Sequence, residues 1–322
     1  MNLDLTRHCI YIDDLVLIST DQHHIADLQR RYIALAQHRG FPINHDKTVW
    51  PTERPTDVLG VQLDGLNGTY GLSRQKLSRL ITETRAIVRR GWASGDEMEV
   101  LIGSWTWAML TKRATLAVFS AVYRFIRTAQ YRVFNVWPSV AFELNAVIGL
   151  APLLTADLNA GFFDRVVASD ASMEGLGVVA TPLSTHVQAL TSAMAGVEPA
   201  DANVPARAQP VAVALSSPWY TTVSARWKRP LTHINLGELH AAHTAVKWTV
   251  SQPRSHGKRL LLFSDSTATV GALSKGRSSA FSSLTIVRSI SSLCLLFNVR
   301  LYVCWLPTAC NPADLPSRVF EH

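Results

Sequence analysis

The chain has 322 residues, 48% hydrophobic and 17% charged, with 31 Lys and Arg against 24 Asp and Glu, a formal net charge of +7 and a pI near 9.4. That balance supplies a core for one large domain or two ordinary ones and excludes a disordered tail or a low-complexity linker. Apolar stretches such as Ala114 to Val122 are interrupted by charges like Lys112, Arg113 and Arg124 before the roughly 18 residues a membrane span needs, and Met1 to Ile10 lacks the apolar core of a secretory signal.

The four cysteines (Cys9, Cys294, Cys304, Cys310) show neither zinc-site spacing nor a dense disulfide framework, which fits a reducing, intracellular compartment, cytoplasm or nucleus. Charge is uneven: residues 1–72 carry a net −3, residues 73–132 a net +7, and residues 166–322 a net +5. A basic helical stretch of this kind reads as a nucleic-acid track or as a solvated helix surface.

Cys9 to Ser19 is an apolar, strand-forming run broken only by Asp13 and Asp14, which places two carboxylates at the tip of a hairpin. The spacing of Ile25, Leu28, Tyr32, Leu35 and Ala36 predicts a helix over 22–39, stopped by Gly40, and Val58 to Leu63 predicts a short strand. Helices are expected over Arg74–Arg90, from Ser94 or Asp96 onward, and from about Thr111 to Ala129. Trp105, Trp107 and Trp137 read more readily as core than as substrate-facing. From Arg165 onward short strands alternate with helices, including one from about Leu236 to Val250, so this part is an α/β domain. The Ala-, Pro- and Ser-rich stretch between Pro182 and Arg229 reads as a long loop or an insertion in a hairpin region.

Residues 166–322 hold only eight acids, and four occupy special places. Asp170 follows the apolar Val166, Val167 and Ala168; Asp265 closes Leu260 to Phe263; Glu238 lies in the first turn of a helix; Asp314 follows Asn311-Pro312 at a helix start. Carboxylates converging at strand ends and helix starts repel one another unless cations neutralise them, and hard oxygen ligands suit Mg²⁺ or Mn²⁺. Two such ions support phosphodiester hydrolysis. Each residue also has a local alternative: Asn235 and Glu238 as a capping box, Asp265 as a cap for the next helix, Asp314 against a helix dipole, Asp170 in a turn.

The order DAS (Asp170 to Ser172), Gly175 and Gly177 in a second strand, INLGEL with Glu238, LFSDS with Asp265, and WLPTACNPADLPSR with Asp314 resembles the ribonuclease H domain of retroelement polyproteins. The closing pattern of Asn311, Ala313, Asp314, Ser317 and Arg318 is its most specific part, while the histidine that assists some ribonucleases H has no counterpart around Thr308 to Cys310. Tyr11-Ile12-Asp13-Asp14 is similar to the Y-x-D-D box of reverse transcriptases, Arg39 to Asn44 with Lys47-Thr48 to the element that follows it, and Val58 to Val61 to the primer-grip strand. The spelling around Glu238 and the tryptophan-rich middle resemble DIRS-like or related retrotransposons.

The resemblance implies an α/β (α+β) protein: a partial reverse transcriptase palm over 1–72, a basic helical thumb and connection over 73–165, and a ribonuclease H-like domain over 166–322, with a mixed five-stranded sheet, flanking helices and an insertion around 182–229. It implies two Mg²⁺ ions, with Mn²⁺ as the substitute, held by Asp170, Glu238, Asp265 and Asp314, and a polymerase metal at Asp13 and Asp14. The implied partners are an RNA/DNA hybrid and primer-template nucleic acid, with Tyr11, Lys47, Arg226, Lys228, Arg229, Lys275 and Arg277 as contacts and no membrane. Only ten residues precede Tyr11, so the fingers and the first polymerase aspartate are expected to be absent or supplied in trans. The expected function is hydrolysis of the RNA strand of a hybrid; the alternatives are a noncatalytic nucleic-acid-binding relic, or an RNA-directed DNA polymerase completed by a separate N-terminal part.

Overall fold

In the computed structural model, which describes residues 6–184 and 218–321, the chain divides into two units, Met1–Ser73 and Arg74–His322. In the first, β1 (Arg7–Tyr11) pairs antiparallel with β2 (Asp14–Ile18), Tyr11 opposite Asp14. Ile12 and Asp13 form the two-residue turn, and Ile12 takes a positive φ of 55°, an unusual backbone for a β-branched residue. Helix α1 (Gln22–His38) is capped by Asp21, whose Oδ1 accepts from the N–H groups of His23 and His24, and the chain turns away at Gly40 with φ +79°.

Strands β3 (Thr56–Val58), β4 (Val61–Asp64) and β5 (Thr69–Gly71) form an antiparallel meander. The single strand expected over Val58–Leu63 is therefore a hairpin: Leu59 and Gly60, at φ +50° and +83°, reverse the chain within it. A two-residue turn with positive φ at both positions is the kind that matches strand twist, and here it overrides the apolar run.

The second unit begins with α2 (Arg74–Arg90), followed by β6 (Trp92–Ser94) and α3 (Gly95–Met109), whose cap is Ser94 Oγ accepting from Glu97 N–H. Trp105 is fully buried and donates from Nε1 to Thr84 Oγ1 at 2.8 Å, which ties α3 to α2. The helix expected from Thr111 to Ala129 is broken. Leu110–Val118 is a 3₁₀ stretch interrupted at Lys112, and α4 starts afresh at Ala121 (Ala121–Ala129). The hydroxyls of Thr111 and Thr115 bond back to the carbonyls of Ala108 and Lys112, competing with regular helix.

The start of α4 is completed from elsewhere in the chain. After β7 (Val133–Asn135), which pairs with β6, helix α5 (Pro138–Leu150) presents the buried Glu143. Its two oxygens accept from the N–H groups of Ser120, Ala121 and Val122 at 2.8–3.0 Å. These are the donors a new helix leaves unsatisfied. A short strand β8 (Thr155–Asp157) leads into the sheet.

That sheet has the order β11-β10-β9-β12-β13. Strands β9 (Phe162–Ala171), β10 (Gly175–Pro182) and β11 (Tyr220–Arg226) are antiparallel neighbours. Helix α6 (Ile234–Val250) crosses over to β12 (Arg259–Ser264), which runs parallel to β9. Helices α7 (Thr267–Lys275) and α8 (Phe281–Leu296) precede β13 (Arg300–Trp305), parallel to β12, and α9 (Asp314–Arg318) ends the fold. The alternation of strands and helices predicted an α/β domain, and the mixed five-stranded sheet is the one that the resemblance implied. The stretch read as loop or insertion after Pro182 lies in part outside the described residues, and its final portion is strand β11.

Residues alternate between two cores along the central strands. Val167, Ala171, Val178, Leu260 and Leu262 face α6 and α8, packing with Leu239, Ala242, Val246, Val287 and Ile290. Val166, Ala168, Val179, Leu261 and Phe263 face the other way, against Leu306 and Ala313. Arg288 of α8 joins the helical layer to the sheet layer: it donates to the carbonyls of Ala117 and Val118 at 2.8 and 2.7 Å and pairs with Glu143 at 3.3 Å.

Replacing Glu143 by Ala leaves three backbone donors without their acceptor and Arg288 without its counter-charge, held only by the Ala117 and Val118 carbonyls. The expected loss is about 3 kcal/mol, measured as the urea-unfolding transition followed by tryptophan fluorescence; Trp50 is the only tryptophan before Arg74, so the signal reports the second unit.

Candidate active site

Period-2 alternation decides which carboxylates meet. Asp170 shares a sheet face with Val166 and Ala168, and Asp265, one residue past the end of β12, continues the face of Leu261 and Phe263. Because β9 and β12 are parallel, their carboxyl ends lie side by side, where ligands commonly bind in open α/β sheets. Glu238 arrives from the second turn of α6, not the first turn that the sequence suggested, because the helix already starts at Ile234 behind its cap His233, and it accepts from the backbone N–H of Ala171. Ligand oxygens of Asp170, Glu238 and Asp265 lie within 4.8 Å of one another, the one group of three or more metal-type ligands among the described residues.

Two glycines make room for the wall of this site. Gly177 stands directly opposite Asp170 across the β9–β10 pair. A Cβ there would lie 2.5 Å from the Ala313 carbonyl oxygen and 2.7 Å from the Ser317 nitrogen, so only glycine lets α9 settle on the sheet. Gly175 is equally crowded, by Phe320 and the Ala225 carbonyl. Further ties hold α9 in place: Ser172 Oγ donates to the Ser317 carbonyl at 2.9 Å, and Ser224 Oγ to that of Pro316 at 2.8 Å.

The loop before α9 supplies the group that links the acids. The buried Asn311 donates from Nδ2 to Asp170 Oδ1 at 3.2 Å and to Asp265 Oδ1 at 3.1 Å, while its Oδ1 accepts from Ala313 N–H. Ser317 Oγ donates to the other oxygen of Asp170. Neutral donors thus bridge the carboxylates without cancelling their charge.

The electrostatics follow from burial. Asp170 is 3% exposed, and its carboxyl is pushed up to about 6, first by burial and then by the charges of Asp265 and Asp314, against the lowering effect of Ser317. Glu238, 8% exposed, is pushed up to about 9 by burial, with Asp170 and Asp265 adding repulsion. Its Oε2 is buried with no hydrogen-bond partner. An orphaned buried carboxylate oxygen beside two more acids suits a hard divalent cation, which would replace both the proton and the missing partner.

None of the local alternatives accounts for these three acids. The cap of α6 is His233, whose Nδ1 accepts from Asn235 N–H, so no Asn235–Glu238 capping box forms. The cap of α7 is Ser266, not Asp265. Asp170 lies within β9, and the turn after it is held by Ser172 Oγ, which accepts from Glu174 and Gly175 N–H. Asp314 stands apart from the group of three: it opens α9 and pairs with Arg318 at 2.9 Å, close enough to Asp170 to raise its pKa.

No protein-family model and no curated protein matches the chain. Among solved structures it is similar to the foamy viral protease-reverse transcriptase in three complexes. These are the dRH form with double-stranded DNA (13% identity, TM-score 0.39, 93% of this chain and 46% of that one), the complex with an RNA/DNA hybrid (10%, 0.35, 97% and 58%) and a complex with double-stranded DNA (13%, 0.36, 93% and 55%). The chain spans about half the length of those proteins.

The remaining residues singled out in the sequence lie elsewhere. Asp13 and Asp14 sit at the exposed tip of the β1–β2 hairpin beside the exposed Tyr11, and Lys47 is exposed in a 3₁₀ turn opened by Asn44. Among the described residues no third acid joins Asp13 and Asp14 in a metal-type group. Arg226, on β11, pairs with Glu174 at 3.2 Å; Lys228, Arg229, Lys275 and Arg277 are exposed. The roles of Asn311 and Ser317 were not foreseen. Both belong to the closing motif, yet an amide and a hydroxyl carry no charge signal of their own.

The raised carboxyls set the pH dependence of the metal-free fold. Their ordinary values are 3.8 and 4.5, so above these the unfolded chain loses protons that the folded site retains. Stability is therefore expected to fall as pH rises through the folded values of about 6 and about 9. Thermal unfolding in EDTA between about pH 5 and about pH 9 should show this decline, and Glu238→Gln should remove its upper part.

Proposed function

We propose that the second unit is a metal-dependent nuclease that hydrolyses the RNA strand of an RNA/DNA hybrid. The single observation that carries this reading is the group Asp170, Glu238 and Asp265, the first two buried and the third half-buried, mutually repelling and with one oxygen unpartnered. Asp170, Glu238 and Asp265 would hold one Mg²⁺ or Mn²⁺, and Asp170 with Asp314 a second. Such ions, when bound, supply the charge that activates a water and stabilises the departing oxygen of a phosphodiester.

The chain's own groups set up that chemistry. Asn311 fixes the spacing of Asp170 and Asp265, and Ser317 orients the remaining oxygen of Asp170. The Glu238 carboxyl, raised to about 9 by burial and by Asp170 and Asp265, holds a proton at neutral pH in the metal-free site and would give it up to serve as a ligand. Arg226, Lys228, Arg229, Lys275 and Arg277 are the proposed phosphate contacts, and an A-form hybrid is recognised through backbone and 2′-hydroxyls rather than sequence.

On this reading residues 166–322 are the hydrolase, 73–165 a thumb and connection, and 1–72 part of a retroelement polymerase palm. In that palm Asp13 and Asp14 would take a metal, and Tyr11 and Lys47 would meet primer-template nucleic acid. With two carboxylates at the hairpin against three at the sheet, hydrolysis is the activity this chain supports best.

Incubation of the full chain with a labelled RNA/DNA hybrid and Mg²⁺ or Mn²⁺ should remove only the RNA strand, and Asp265→Asn should lower the rate by at least about 100-fold. A folded protein that binds hybrid but leaves it intact in both metals would show a nucleic-acid-binding relic instead. Independently of activity, either metal should raise the unfolding temperature of the parent chain and leave Asp170→Asn unchanged.

A further inference from the structure

Trp107 sits two residues beyond the buried Trp105, on the opposite side of α3, and is 46% exposed. It opens onto a cleft of about 430 Å³ whose lining includes Glu99, Gly103, Tyr123, Arg127 and Arg277. The cleft thus combines α3, α4 and the turn after α7, and none of Asp170, Glu238, Asp265 and Asp314 lines it. Arg127 and Arg277 form no ion pair among the described residues.

We propose that this cleft binds one nucleotide of a single-stranded nucleic acid, its base against Trp107 and Tyr123 and its phosphate at Arg127 and Arg277. Aromatic rings with adjacent cations are how sequence-tolerant single-strand sites work: stacking takes the base and a guanidinium fork takes the phosphate. Glu99, the one acid in the lining, is placed to accept from an exocyclic base amine, as carboxylates do from cytosine. The volume suits a ligand of nucleotide size rather than a duplex. The surrounding segment 73–132, with its net charge of +7, supplies the field that draws a polyanion to this side. Arg277 is shared with the contacts proposed for the hybrid; Trp107, Tyr123 and Arg127 are not.

The test measures fluorescence anisotropy of labelled ten-nucleotide oligodeoxycytidylate and oligocytidylate, which carry the exocyclic amine and differ only in the sugar, with the full chain in EDTA. No metal is present, so failure of the hydrolase reading leaves the measurement unaffected. Trp107→Ala is expected to weaken both oligonucleotides by about tenfold. Gly103→Leu fills the cleft from a position where an added Cβ meets nothing within 4 Å, and should weaken binding as much while the protein melts at or above the parent temperature. Arg127→Gln should lower the salt slope by about one. Parent-like affinity in both Trp107→Ala and Gly103→Leu, or no oligonucleotide binding by the parent at low salt, overturns the proposal. A loss confined to one oligonucleotide would identify the sugar it prefers and uphold it.

Discussion

Three carboxyl groups crowded at the end of a buried sheet are opposed by both desolvation and mutual repulsion, and the surrounding structure is arranged to tolerate them. The parallel pairing of β9 and β12 sets Asp170 beside Asp265. Helix α6 adds Glu238 from the other core face. Among the described residues the groups that bridge the acids are neutral: Asn311 and Ser317 do so by hydrogen bonds, and the Arg318 guanidinium is engaged with Asp314. A shell of neutral donors keeps the acids aligned but leaves their charge for something else to balance. An internal lysine would have stabilised the apo fold and closed the site to cations.

The placement of α9 is the geometric counterpart of that electrostatic choice. Its helix is only five residues long, too short to hold itself together. Its position comes from Gly175 and Gly177 beneath it and from Ser172 and Ser224 at its edge. The glycines look like weak strand formers in isolation, yet they are what allow Ser317 to reach Asp170.

Much of this was legible in the sequence where local pattern and tertiary demand agree. The apolar runs at Val166–Ala168 and Leu260–Phe263 announce buried central strands, and the acid that ends each run announces the site. The pattern misled where a distant residue decides. The continuous helix expected over Thr111–Ala129 ignores Glu143, which caps α4 from the next helix but whose own sequence context is ordinary. The strand expected at Val58–Leu63 ignores the turn-forming backbone of Leu59 and Gly60, hidden in an apolar run. The capping readings of Glu238 and Asp265 failed for a simpler reason: His233 and Ser266 stood nearby and served the purpose.

The Glu143–Arg288 pair has a consequence for how this protein can be divided. Sequence texture changes near Arg165, which invites separating the α/β part from the helices before it. Yet Ala117 belongs to the same apolar cluster as β9, α6 and α8, and the Gly276 backbone lies so close to the Arg113 carbonyl that a Cβ would sit 2.2 Å from it. A piece starting at residue 166 would uncover that flank and strand Arg288 without its carbonyl and carboxylate acceptors. The helical layer is therefore part of the wall of the α/β fold, and recombination or truncation that respects the acidic motif alone would yield a sheet with one side unsealed.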